Sequence, residues 1–160
     1  IFDLTIAIEI GLIIACALFI KRVMETTEIS VIENEIHPSE ETEDSLVIPD
    51  GCAVYEINGP YFFGIANKFG ELEGRLKAGN RPRVQIIRMR RVPFIDSTGI
   101  HNLTTLVEMN HEKGTEVILS GLTPKVQQQL QKASFDKILG HKNFCSHIDE
   151  ALQRAQEILG

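Results

Sequence analysis

Leu4 to Ile20 is apolar apart from Thr5 and Glu9, runs unbroken from Leu12 to Ile20, and is followed at once by Lys21 and Arg22. This stretch is long enough, at the lower limit of roughly 17–25 residues, for a helix to cross a bilayer. A signal peptide carries its positive charges before the apolar run, whereas here they follow it and read as a cytoplasmic anchor. A buried core helix of a soluble domain is the alternative, but apolar residues on all faces fit it poorly. Ala7, Gly11 and Ala15 recur every fourth residue, a small-residue stripe that lets another membrane helix approach closely. Glu9 is costly at membrane depth unless it reaches the interface, a bundle interior or a wet cavity.

From Leu46 onward, strand patterns alternate with amphipathic helices. Leu46 to Ile48 and Cys52 to Ile57 flank Pro49-Asp50-Gly51, which is turn chemistry, so a small antiparallel pair is expected there, closed by Asn58-Gly59-Pro60. Ile65, Phe69, Leu72 and Leu76 make one helical face ending by Gly79. Val84 to Met89 reads as a strand. Ile100, Leu103, Leu106, Val107 and Asn110 trace a helix stopped at Gly114, and Glu116 to Leu119 is the next strand. Thr123-Pro124 caps and opens a helix to about Lys132. After a short apolar piece near Ile138, Ser146 with Asp149 resembles a capping box, and Ile148, Ala151, Leu152, Ala155 and Leu159 give the last helix its apolar face. The order β-β-α-β-α-β-α-(β)-α implies an α/β fold: a mostly parallel mixed sheet flanked by crossover helices.

Charge divides the chain differently. The net charge is −6, yet eight acids and no Lys or Arg fall between Glu25 and Asp44, leaving 14 acids and 16 bases elsewhere. Residues 25–45 therefore read as an acidic connector, broken by His37-Pro38, although Val23 to Ile32 could continue as a short helix. The acidic balance argues against a nucleic-acid partner. Cys16, Cys52 and Cys145 are too few and too widely spaced for a disulfide framework or a zinc site, which fits a reducing compartment. The chain starts with Ile and an apolar stretch, and so reads as the C-terminal piece of a longer protein.

The most informative stretch for chemistry is Val92-Pro93-Phe94-Ile95-Asp96-Ser97-Thr98-Gly99, leading from a strand into a helix. Ser97 or Thr98 is expected to cap that helix, and Gly99 permits close backbone approach. The helix dipole and free amides make the corner receptive to an anion, though a plain cap explains the pattern equally. Lys77, Arg81, Arg83, Arg88, Arg90 and Arg91 place six bases and no acid in fifteen residues. They could form a contact patch for acidic lipid headgroups, the acidic connector or a nucleotide phosphate, or be solvated strand ends. His141, Cys145 and His147 match no standard metal spacing and lack a fourth ligand. With no catalytic order of nucleophile, base and acid, no P-loop and no G-x-G-x-x-G, the chain reads as no enzyme, with no cofactor and no metal.

Phe94-Ile95-Asp96-Ser97-Thr98-Gly99 resembles the D-S-x-G motif of the STAS domain, shared by sulfate-transporter-type anion carriers and bacterial anti-sigma-factor antagonists. Asn58-Gly59-Pro60-Tyr61-Phe62-Phe63-Gly64-Ile65-Ala66 resembles the transporter branch, and Lys113-Gly114, Leu119-Ser120-Gly121-Leu122 and Glu150-Ala151-Leu152 fit the family's later elements. Phe2-Asp3-Leu4 to Lys21-Arg22 is similar to the final membrane helix of such carriers. The resemblance implies residues 1–24 as a transporter's C-terminal transmembrane helix, 25–45 as the acidic linker and 46–160 as a cytosolic STAS domain. It implies a regulatory and interaction role in a SulP-type secondary anion transporter of the inner membrane. Its partners would be the rest of the membrane domain, a second copy of the chain, and a cytosolic regulatory protein. Asp96, Ser97, Thr98 and Gly99 would form a phosphorylation or anion-binding corner, with Ser97 at the position phosphorylated in antagonists. The alternative is an anti-sigma-factor antagonist switched by serine phosphorylation, for which the apolar segment has no use.

Overall fold

The computed structural model describes residues 2–25, 28–32, 47–59, 61 and 81–160. The chain opens with α1 (Phe2–Glu25), continues through β1 (Glu28–Ile32), β2 (Cys52–Asn58), β3 (Val84–Arg91), α2 (Ser97–Glu112), β4 (Glu116–Ser120) and α3 (Pro124–Lys132), and then the single turn α4 (Asp136–Leu139). A 3₁₀ turn (His141–Asn143), the short β5 (Phe144–Cys145) and α5 (Ile148–Leu159) complete it. The helix expected over Ile65 to Gly79 lies outside the described residues.

The strands form one sheet in the order β1-β2-β3-β4-β5. β1 pairs antiparallel with β2, and every later pair is parallel. The partner of β2 differs from the expected hairpin. Residues 47–49 form no strand and lead into a turn in which Cys52 N–H donates to the Pro49 carbonyl at 3.0 Å. Glu28–Ile32 takes the edge position, Glu28 opposite Asn58 and Ile32 opposite Val54. The helical continuation considered for Val23 to Ile32 therefore ends at Glu25, and the stretch expected to be connector contributes a strand.

Both faces of the sheet are covered. Tyr55, Ile57, Ile87, Met89, Val117 and Leu119 pack against α2, α3 and α4 through Leu103, Val107, Val126, Leu130 and Leu139. Val54, Val84, Ile86 and Ile118 meet Ile148, Ala151, Leu152 and Ala155 of α5 on the other side. Burial on two faces is why β3 is buried without alternation from Val84 to Met89, the polar Gln85 and Arg88 included.

Helix ends follow local chemistry. Thr123 Oγ1 accepts from Val126 N–H at 3.4 Å, and Pro124 occupies the first turn of α3. At α5 the reciprocal bond differs from the expected box: His147 is the cap residue without a side-chain bond, and Glu150, not Asp149, reaches back to accept from Ser146 N–H at 2.7 Å. In contrast to the domain, α1 buries nothing. Leu4–Arg22 is long and apolar enough to cross a membrane, and its large side chains are exposed.

Candidate functional site

The β3–α2 corner sits at the carboxyl ends of the parallel strands, the edge where open α/β sheets place their ligands. The helix begins one residue earlier than the sequence suggested. Asp96, extended at φ −96° and ψ 177°, is the N-cap, and its Oδ1 accepts from Gly99 N–H at 2.6 Å. Ser97 and Thr98 are instead the first two helical residues, both exposed, so neither serves as the cap. Asp and Ser cap comparably well. The choice falls to the residue whose backbone is still extended, and Asp96 fixes that register.

Gly99 is buried because the chain approaches it closely. A Cβ there would lie 2.6 Å from the Tyr61 carbonyl oxygen, 2.8 Å from Ile95 Cγ1 and 2.9 Å from Tyr61 Cδ1. Tyr61 forms an isolated bridge with Ile95, its N–H donating to the Phe94 carbonyl at 3.3 Å, and its ring is fully buried beneath the corner. Burial pushes its phenol well above the ordinary range. Gln129 Oε1 accepts from Ile95 N–H at 3.4 Å, and Lys125 Nζ stands 5.6 Å from the Phe94 ring centroid. The corner is therefore held by Tyr61, by α2 and by α3, while Ser97 and Thr98 face solvent. Since the Asp96 carboxylate already occupies the cap, the corner carries its own anion.

The basic residues do not form one patch. Arg81 and Arg83 are exposed at the amino end of β3, while Arg90 and Arg91 are exposed at its carboxyl end, about 20–25 Å away at roughly 3.3 Å per residue. Arg88 is buried in the strand between them, and Lys77 lies outside the described residues. Arg90 Nε bonds Glu56 Oε1 at 2.7 Å, and Arg91 Nη1 donates to Asn58 Oδ1 at 3.4 Å. The Glu56–Arg90 pair was not singled out from sequence. The available signal was that Glu56 is the one charged residue in the strand Cys52–Asn58.

Among the described residues, no group of three His, Cys, Asp or Glu side chains could hold a metal. His141 pairs with Asp136 at 3.4 Å, whereas Cys145 is buried with its thiol pushed up mainly by desolvation. Cys52, partly buried, has its thiol pushed up to about 11 by desolvation.

Residues 45–151 match the STAS domain family. A sulfate transporter family protein from Wolinella succinogenes is 39% identical, with a TM-score of 0.65 over 74% of this chain and 95% of that one. The STAS domain of a SulP transporter from Vibrio cholerae is 34% identical, with a TM-score of 0.63 over 71% and 87%. YvdB of Bacillus subtilis is 29% identical over 152 residues, 93% of this chain and 27% of its own length. The chain thus spans about a quarter of the length of the curated relatives it matches. Two likenesses concern fold alone. The murine Slc26a9 anion transporter, 16% identical, superposes on 94% of this chain and 25% of its own, with a TM-score of 0.70. An anti-sigma factor antagonist from Thermotoga maritima, 17% identical, covers 68% of this chain and 91% of its own, with a TM-score of 0.58. The aspartate-capped corner, the doubly covered sheet and these relatives agree: the chain belongs to the STAS domain family, in the branch carried by SulP sulfate transporters.

Proposed function

We propose that this chain is the C-terminal part of a SulP-type secondary anion transporter of the inner membrane, with α1 as its last membrane span and the STAS domain in the cytoplasm. The observation that carries this reading is α1: a long helix whose apolar stretch is exposed over Leu4–Arg22 and closes on Lys21 and Arg22, and which two residues join to the edge strand of the STAS sheet. The superposition on Slc26a9 supports it, because 94% coverage necessarily takes in much of α1 as well as the domain. The transported anion, of the sulfate, bicarbonate or dicarboxylate class, is handled by membrane helices beyond this chain. The STAS domain regulates and docks: its partners are the membrane domain, a second copy and a cytosolic regulatory protein. No catalysis is assigned to it.

Within this reading Asp96, Ser97, Thr98 and Gly99 form a phosphate-accepting corner. Ser97 is exposed and relieved of capping by Asp96, so modification leaves the cap bond in place and adds charge at the positive end of α2. A free anion is less suited, since the Asp96 carboxylate holds the amide that would receive it. The domain boundaries proposed from sequence, 1–24, 25–45 and 46–160, gain one refinement: the sheet begins at Glu28. The test is fractionation of the chain expressed in bacteria. It should remain in the membrane pellet after alkaline carbonate extraction, whereas a chain beginning at Glu28 should be soluble and folded. Complete carbonate extraction of the intact chain would remove the transporter reading and leave the soluble antagonist.

A further inference from the structure

α5 starts at the carboxyl edge of the sheet, just after β5, and returns to the amino edge, where Leu159 Cδ2 would lie 3.3 Å from a Cβ on Gly51. Beneath it the sheet changes character along its length. Val54, Ile86 and Ile118 stand in one line across β2, β3 and β4 and pack into the apolar core that α5 closes. Two residues further along each strand, and hence on the same face, stand Glu56, Arg88 and Ser120, with Cys145 of β5 paired to Ser120. All four are buried. The far half of α5 therefore rests on hydrocarbon, while its first turn lies over a polar row.

The helix is also fastened unevenly. α2 is capped by Asp96 and α3 by Thr123, whereas His147, the cap residue of α5, makes no side-chain cap bond. The exposed bond from Ser146 N–H to Glu150 Oε2 ties the turn only to itself. The middle of the helix is tied to the domain: Arg154 Nε donates to Asn143 Oδ1 at 3.3 Å, and Asn143 Nδ2 to Glu116 Oε1 of β4 at 2.7 Å. What holds the first turn down is the burial of Ile148 and Ala151. Opposing it is the Ser120 hydroxyl, fully buried and without a hydrogen-bond partner. A hydroxyl in that state destabilises the closed arrangement, and water entering beneath the turn relieves it. β5 adds little restraint, since only two of its residues pair with β4.

We propose that the first turn of α5, from Ser146 to Ala151, is a flap: it lifts from the sheet independently of the rest of the domain, hinged ahead of Arg154, and uncovers Ser120 and Cys145. α1 plays no part in it. Opening hydrates the Ser120 hydroxyl and exposes the Cys145 thiol, which burial otherwise keeps protonated. Cys52 packs with Ile158 and Leu159 at the opposite end of the same helix, so the chain carries a thiol reporter at each end of α5.

The test follows alkylation of both thiols by iodoacetamide at about pH 8 in the full chain carrying Cys16→Ser, in mild detergent, with each site read by peptide mass spectrometry. Cys145 should react below the urea unfolding transition. Its rate should depend on urea far less steeply than global unfolding does, because opening the flap exposes little surface. Ser120→Ala removes the unpartnered hydroxyl and should slow Cys145 at least about fivefold. His147→Ser supplies the missing cap and should slow it about threefold or more. Cys52 should change by less than about twofold in either variant. Equal slowing at both thiols would show that the whole helix or the whole domain opens, and would overturn the flap. So would Cys145 labelling that waits for global unfolding or responds to neither variant. Faster labelling in Ser120→Ala would mean that the hydroxyl holds the turn down, and would overturn it too.

Discussion

Removing the Asp96 side chain tests the register of the corner. Asp96→Ala deletes the acceptor of the 2.6 Å bond from Gly99 N–H and a negative charge at the positive end of a 16-residue helix. Losing an N-cap of this kind costs about 0.5–2 kcal/mol, and the charge–dipole part accounts for some 0.3–1 kcal/mol of it. Asp96→Asn keeps the oxygen and loses only the charge, so it should cost no more than about 1 kcal/mol. Ser97→Ala removes an exposed hydroxyl at the first helical position and should stay within about 0.5 kcal/mol of the parent. Urea unfolding of the chain in mild detergent, followed by far-ultraviolet circular dichroism, ranks the three variants at constant slope. Hydrogen exchange at the Gly99 amide should accelerate in Asp96→Ala alone. If Ser97→Ala is the more destabilised protein, or if the Gly99 amide stays protected without Asp96, the assignment of the cap is wrong.

Gly99→Ala should cost at least about 1–3 kcal/mol, because its methyl meets a backbone oxygen at 2.6 Å that cannot rotate away; an unchanged urea midpoint would contradict that packing. Arg90→Ala leaves the Glu56 carboxylate, only 10% exposed, without its 2.7 Å partner and should lose about 1.5–3 kcal/mol, with Glu56→Gln restoring part of the loss in the double variant. Cys52 should alkylate slowly at pH 8 and accelerate up to about pH 11. Its raised folded pKa means that its share of stability is complete below pH 9.0 and fades as pH climbs through about 11, so an unfolding midpoint that rises across that interval would oppose the burial argument. Deleting Glu33 to Asp44 should move the melting temperature by no more than about 2–4 °C, since exposed charge pairs contribute little.

Local chemistry made much of the domain legible. Thr123-Pro124 opens a helix, Gly114 with φ +77° ends one, and Val84 to Met89, read as a strand, is one. Where two readings were locally equivalent, distant contacts decided between them. Leu46 to Ile48 before Pro49-Asp50-Gly51 looked like a hairpin arm, yet β2 takes Glu28–Ile32, whose Ile29, Val31 and Ile32 sit in an acidic stretch that read as connector. Asp96, Ser97 and Thr98 are all competent caps, and the Gly99–Tyr61 approach is consistent with only one starting register for α2. The basic cluster was contiguous in sequence but split in space, because an extended strand separates its ends by its full length.

The direction in which β1 runs also sets how the domain would feel a movement of α1. The five-residue ladder with β2 is attached to α1 at Glu28 and continues away from it. A pull on α1 along the strand axis loads the ladder in shear: all its hydrogen bonds share the force and none can open before the others. A sideways pull would peel them one at a time from Glu28, a far weaker geometry. The edge strand therefore acts as a stiff coupling for axial displacement and a compliant one for lateral displacement, so that piston-like motion of the helix reaches β2, and through it the Tyr61–Gly99 corner, while sway is absorbed at the junction.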